Sequence, residues 1–239
     1  MTESWTHAVR RQLGLGRLLP LGGARDGAWI AEAAAGELLR RAAREVTGVH
    51  PGPLRLGPAG PEGAEESSVP LPPSALPPGP LRLTADFAAT AAVPLPDTAA
   101  RLRLVLARAA AEGIGLAVTE VDLRVTDLLD AEEPPAPTAE AAVPAPARRA
   151  TDADEKRAEA AALSVPGVTR LTGALGGLGR AVHIEERQDG AALAHRHVRV
   201  EVAVDAGHRA LDTARRVRAA VADALPDHPT VAVLVTAVD

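Results

Sequence analysis

The sequence predicts an α+β protein of two tandem two-layer α/β sandwich modules, each running α-β-β-α-β. Three observations lead there. An Ala-rich helical stretch ends twice on a glycine turn, at Val46-Thr47-Gly48-Val49 and at Val165-Pro166-Gly167-Val168. The run Asp97-Thr98-Ala99-Ala100-Arg101-Leu102-Arg103 returns as Asp212-Thr213-Ala214-Arg215-Arg216-Val217-Arg218. Each copy then closes on an alternating valine strand, Val121-x-Leu123-x-Val125 and Val231-x-Val233-x-Val235. Matching motifs in the same order predict an internal duplication.

Residues 1–27 are expected to form an N-terminal amphipathic segment. Trp5, Val9 and Leu13 fall at helical spacing beside Arg10 and Arg11, with Leu15, Leu18 and Leu19 following. Such a stretch suits a partner's groove or a membrane surface, and suits equally well docking on its own module. These five residues, Trp5 to Leu13, are the candidate partner-binding set.

The first module spans residues 28–130. A helix is expected over 28–45, with Ala35, Leu38, Ala42 and Val46 on one face, and Gly48 suits its C-terminal turn. Leu81, Leu83, Ala85 and Phe87 alternate with Arg82, Thr84 and Asp86, the period of a strand with one wet face. Residues 57–80 are rich in Pro, Gly, Glu and Ser, and predict a long disordered loop between two strands. The second helix presents Leu102, Val105, Leu106 and Ala109 on one side.

A Pro/Ala-rich linker is expected over 131–151, and the second module over 152–239. That module predicts a helix over 153–163, a strand carrying Val198, Val200, Val202 and Val204, and a helix facing inward with Ala214, Val217, Val221 and Leu225.

Composition bounds the function. With 239 residues and 46% apolar content the chain can build a core, yet Trp5, Trp29 and Phe87 are its only aromatic residues. The absence of cysteine excludes disulfides, thiolate metal sites and thiol catalysis. No apolar run nears the ~20 residues of a membrane span, and no signal peptide pattern opens the chain, so a cytoplasmic location is expected. A net charge of −5 argues against nucleic acid as a partner.

The one chemically suggestive cluster is histidine. His183, His195 and His197 are expected on the outer face of a hairpin, with His183 opposite His195 or His197, and with Glu185 they form a candidate metal site. The spacing matches no known metal pattern, so polar decoration of a sheet face is the plainer reading. The glycine run at Gly173, Gly176, Gly177 and Gly179 precedes a strand-like segment rather than a helix, which predicts a loop and not a phosphate cradle. Arg215, Arg216 and Arg218 suit a solvated helix face, with Asp212 placed to pair with Arg216. No nucleophile-base pair or cofactor fingerprint is present, so no enzyme activity, no cofactor and no catalytic residue are expected.

The motifs resemble the alkaline shock protein family of bacterial envelope-stress proteins. The likeness rests on Ile30-Ala31-Glu32, Glu45 to Val49 and Glu120 to Asp127 in the first copy. In the second it rests on Val165 to Val168, Ala214 to Arg218 and Val231 to Val238. The resemblance implies a non-enzymatic scaffold or adaptor for envelope homeostasis, gathered at the inner face of the membrane by a small membrane protein. Self-association and peripheral membrane contact are compatible with it. The alternatives are a small-molecule- or metal-binding regulatory module and, more weakly, an RNA-binding protein.

Overall fold

In the computed structural model, residues 15–60, 63–91, 93–129, 144, 146–175, 179–188 and 195–239 are described. Trp5, Val9, Arg10, Arg11 and Leu13 lie outside these residues, as does most of the expected linker.

The fold is α+β, with four α-helices and two sheets among the described residues. Helix α1 (Glu32–Arg44) leads through the turn at Gly48, whose φ of +75° suits a residue without Cβ, into β3 (Val49–Pro58). Strand β4 (Leu81–Thr90) runs antiparallel to β3, and helix α2 (Leu95–Arg108) then crosses to β5 (Val118–Leu129), which lies parallel to β4. A π-helical turn, Ala109–Ile114, prolongs α2. Leu81, Leu83, Ala85, Phe87 and Ala89 point one way along β4 and are buried, as the alternation requires.

The second half follows a similar order with one strand more before its second helix. Helix α3 (Ala153–Leu163) is capped by Asp152, whose carboxylate accepts from the amides of Asp154 at 2.8 Å and Glu155 at 3.2 Å. Strands β6 (Val168–Leu171) and β7 (Val182–Arg187) both pair antiparallel with β8 (His195–Val204). Helix α4 (Ala210–Ala224) then returns the chain to β9 (Thr230–Val238), parallel to β8.

The expected helix over 28–45 starts later than the pattern suggested. Ala28–Ala31 is strand β2, fully buried and parallel to β9, while Leu18–Pro20 forms β1, antiparallel to β2. Apolar runs this short carry no period, so the pairing available on β9 decides them. Of the expected N-terminal segment, Leu18–Pro20 form a strand, and the residues carrying its helical spacing, Trp5 to Leu13, lie outside the described residues. Strands β1 and β2, on either side of the expected boundary at residue 28, both join the sheet of the second half, β1-β2-β9-β8 with β6 and β7 beyond. Helix α1 packs against β3 of one sheet and β9 of the other. One core thus runs through both halves.

The proline-rich segment departs from the expected disordered loop. Its backbone is tied to β1, where Leu18 donates to the Ser74 carbonyl and Leu76 donates to that of Leu18, at 3.1 and 2.8 Å. Ser68 donates to Ala24, and Val69 is buried. Proline removes donors from the segment, but the sheet edge supplies what the remaining amides and carbonyls need.

Candidate functional site

Strands β7 and β8 carry alternating charge on one face: His183, Glu185 and Arg187 on β7, His195, His197 and Arg199 on β8. A sheet with helices on one side would leave this face wet. Here Pro70, Leu71, Pro72 and Pro73 lie against it instead, enclosing a cleft of about 160 Å³ whose other wall is Glu185, Arg187, His197 and Arg199. The second sheet is therefore covered on both faces, contrary to the expectation from its alternation.

The hairpin register differs from the expected one. His183 stands opposite Arg199, Glu185 opposite His197, and Arg187 opposite His195. Strand β7 ends at Arg187 and β8 begins at His195, and the ladder pairs these two residues. The three histidines share a face as expected, but His183 meets neither of the others across the ladder. Its Nε2 lies 3.2 Å from the Arg180 carbonyl, and burial, with Arg199 nearby, lowers its pKa. His197 is buried, with Nδ1 2.8 Å from the Thr230 hydroxyl. Desolvation first, then the charges of Arg187, Arg199 and His195, drive its pKa down to about 4 against the opposing pull of Glu185. Among the described residues no group of three or more His, Asp or Glu side chains is placed to hold a metal ion.

The cleft is cationic in character. Neither Arg187 nor Arg199 forms an ion pair among the described residues, and the buried Nε of Arg199 has no hydrogen-bond partner there. An unpaired buried donor is costly, and an anion in the cleft would relieve it.

Further along β8 the same face carries Glu201, fully buried. Its carboxylate accepts the amides of Ala174 at 2.7 Å and Leu175 at 3.0 Å. The glycine-rich loop thus cradles a carboxylate of its own chain. Beside it the Thr172 and Thr236 hydroxyls bond at 2.6 Å. In the sequence Glu201 alternates with valines just as Arg199 does, so nothing local distinguishes a buried carboxylate there from one on a wet strand face.

Arg215 and Arg216 of α4 are exposed, as a solvated helix face requires, and Arg215 and Arg218 also bind a neighbouring turn. Arg215 donates to the Asp26 carboxylate at 2.7 Å, and Arg218 to the Arg25 carbonyl, tying α4 to the turn between β1 and β2. Arg216 reaches the backbone carbonyl of Asp212 rather than its carboxylate.

The first sheet is the less covered of the two. Arg82, Thr84, Glu120, Asp122 and Arg124 are exposed on its outer face, where Arg82 pairs with Glu120 and Asp122, and Arg124 with Asp86. Strand β5 forms its edge, and Val125 and Leu128 on it are 38% and 54% exposed. The opposite edge, β3, is partly closed, since Arg17 donates to the Leu56 carbonyl at 2.6 Å and Glu32 accepts its amide at 3.4 Å.

No helix among the described residues is long and apolar enough to cross a membrane. Compared with known proteins, the chain matches no protein-family model, no curated protein and no solved structure.

Proposed function

We propose that this chain is a non-enzymatic adaptor of the cell envelope, working through protein partners on the open face and edge of its first sheet. The observation that carries this reading is an asymmetry: the second sheet is covered on both faces, while β3-β4-β5 keeps one face of mixed charge and one long edge free of cover among the described residues. Edges and faces of this kind are natural sites for partner strands. The link to the envelope comes from the motif resemblance, and an antiparallel pair followed by a helix and a parallel strand in each half supports reading the halves as diverged copies. In this reading the second copy gave up its outer face to the proline-rich segment, and the first kept its own for partners. Fluorescent fusions test it. A rim signal at the cell boundary, lost when Arg82 and Arg124 are both changed to Glu, is expected; a diffuse signal from the unmodified chain overturns it.

A second reading is favoured by the orphaned Arg199 Nε. A small carboxylate or phosphate bound between Arg187 and Arg199 would make the cleft a regulatory pocket. Thermal stabilisation by millimolar citrate or phosphate, abolished in Arg199→Ala, is the expected result, and equal stabilisation of both proteins refutes it.

A further inference from the structure

Strand β5 runs for 12 residues and, among the described residues, pairs on one side only, with β4. Its Val121 carbonyl accepts from Arg103 Nε at 3.3 Å, so that carbonyl turns away from β4. Because both polar groups of a strand residue point to the same side, Val121, Leu123 and Val125 present their amides and carbonyls to the open edge. Long edges of this kind are usually shortened, bulged or screened; β5 is irregular at Thr119 and Thr126, which leaves Glu120 to Val125 as its regular stretch, and there, among the described residues, the Arg103 guanidinium reaches the Val121 carbonyl.

The side chains on this edge are self-complementary in one antiparallel register. Centred on Leu123, the pairing sets Leu123 against Leu123, Val121 against Val125 and, on the outer face, Asp122 against Arg124 twice over. Centring on Asp122 places two aspartates together on the axis, and centring on Val121 sets Glu120 against Asp122. A register shifted by a single residue opposes apolar to charged positions. Opposite charges across a ladder stabilise it and like charges oppose it. Val125, 38% exposed, loses its contact with water in the favoured register.

We infer that β5 pairs antiparallel with β5 of a second copy about a two-fold axis at Leu123, joining the two three-stranded sheets into one of six strands. The inference rests on the adaptor reading and names the first occupant of its open edge. A C2 contact of this kind closes on itself, leaving both outer faces available to other partners.

The chain has no cysteine, so single cysteines report the register directly. At Leu123 the two Cα atoms would sit about 5.5 Å apart, within disulfide reach. At Val125 the same residue in the two copies would be displaced by four positions, on the order of 13 Å. The experiment measures the mass of the full chain by light scattering, then oxidises Leu123→Cys and Val125→Cys separately. A dimer that crosslinks at least tenfold faster through Leu123→Cys than through Val125→Cys is expected. A monomer at high micromolar concentration overturns the inference and points to residues 130–143 of the same chain as cover for the edge. A dimer that crosslinks equally at both positions, or at neither, overturns the register. Neither result touches cellular localisation, so failure here and failure of the adaptor reading are distinguishable.

Discussion

The indole Nε1 of Trp29 donates to the backbone carbonyl of Leu76 at 3.1 Å, so one side chain joins strand β2 to the proline-rich segment inserted 47 positions later. Trp29 is 1% exposed and is among the largest fully buried side chains of the described residues. Replacing it by Phe keeps most of the buried surface and removes the donor, at a cost of about 1–2 kcal/mol. Trp29→Ala adds a cavity and costs about 3–5 kcal/mol. Urea denaturation measures both, and limited proteolysis within residues 63–80 is expected to accelerate in each variant.

Asp26 joins the two halves through Arg215 and is itself only 17% exposed in its side chain. Burial pushes its carboxyl upward, but the Arg215 hydrogen bond, the Gly23 amide and the charges of Arg215 and Arg218 outweigh that and hold the pKa below the ordinary value of 3.8. A carboxyl lowered on folding contributes stability above its unfolded pKa and loses it as pH falls through the folded value. Asp26→Asn is therefore expected to destabilise by about 1 kcal/mol at pH 7 and by less below pH ~3.5. Melting temperatures at both pH values check the convergence.

Gly115 has a φ of +99°, follows the π-helical turn, and its carbonyl accepts the Gly22 amide at 2.9 Å. A Cβ there would run into the side chain of Leu211 on α4. Gly115→Ala combines a left-handed conformation with an overpacked contact between the halves, and is expected to cost about 2–4 kcal/mol. Chemical denaturation reads it. A loss under 1 kcal/mol would mean that the two halves separate enough at this point to absorb the added methyl.

His197 makes the fold sensitive to mild acid. Its pKa falls from the ordinary 6.5 to about 4 on folding, so the unfolded chain takes up a proton first as pH drops. Stability from this residue is intact above pH 6.5, declines between 6.5 and about 4, and levels off below that. The full effect is on the order of 2–3 kcal/mol. The groups facing it are Glu185 and Arg187 on β7 with His195 and Arg199 on β8. His197→Gln is expected to flatten the decline in denaturation midpoint between pH 7 and pH 4.5, and an unchanged slope would assign it to other groups.

Most secondary structure was legible in the sequence where a period could be counted. The inward faces of β4, α2 and α4 follow directly from Leu81 to Phe87, Leu102 to Leu106 and Ala214 to Val221. The glycine turns at Gly48 and Gly167 were legible for a different reason, since each takes a positive φ. The face shared by His183, His195 and His197 was readable from strand alternation, but their pairing was not. Register depends on loop length, and one hairpin sequence allows several. Arg187 and Arg199 drew no separate notice as site residues, because nothing local distinguishes an arginine under a proline-rich cover from one in solvent.

What the sequence determined by itself is the α+β class and the place of the longer helices and strands, because hydrophobic period and turn chemistry act over a few residues. Only the tertiary structure decided that Ala28–Ala31 is a strand, that it completes the sheet of the other half, and that residues 70–73 close over His197 and Arg199. Each of these depends on surface presented by a distant part of the chain. The free energy of burying Trp29 or pairing β2 with β9 exists only once β9 is in place, and no local pattern in either segment encodes the other.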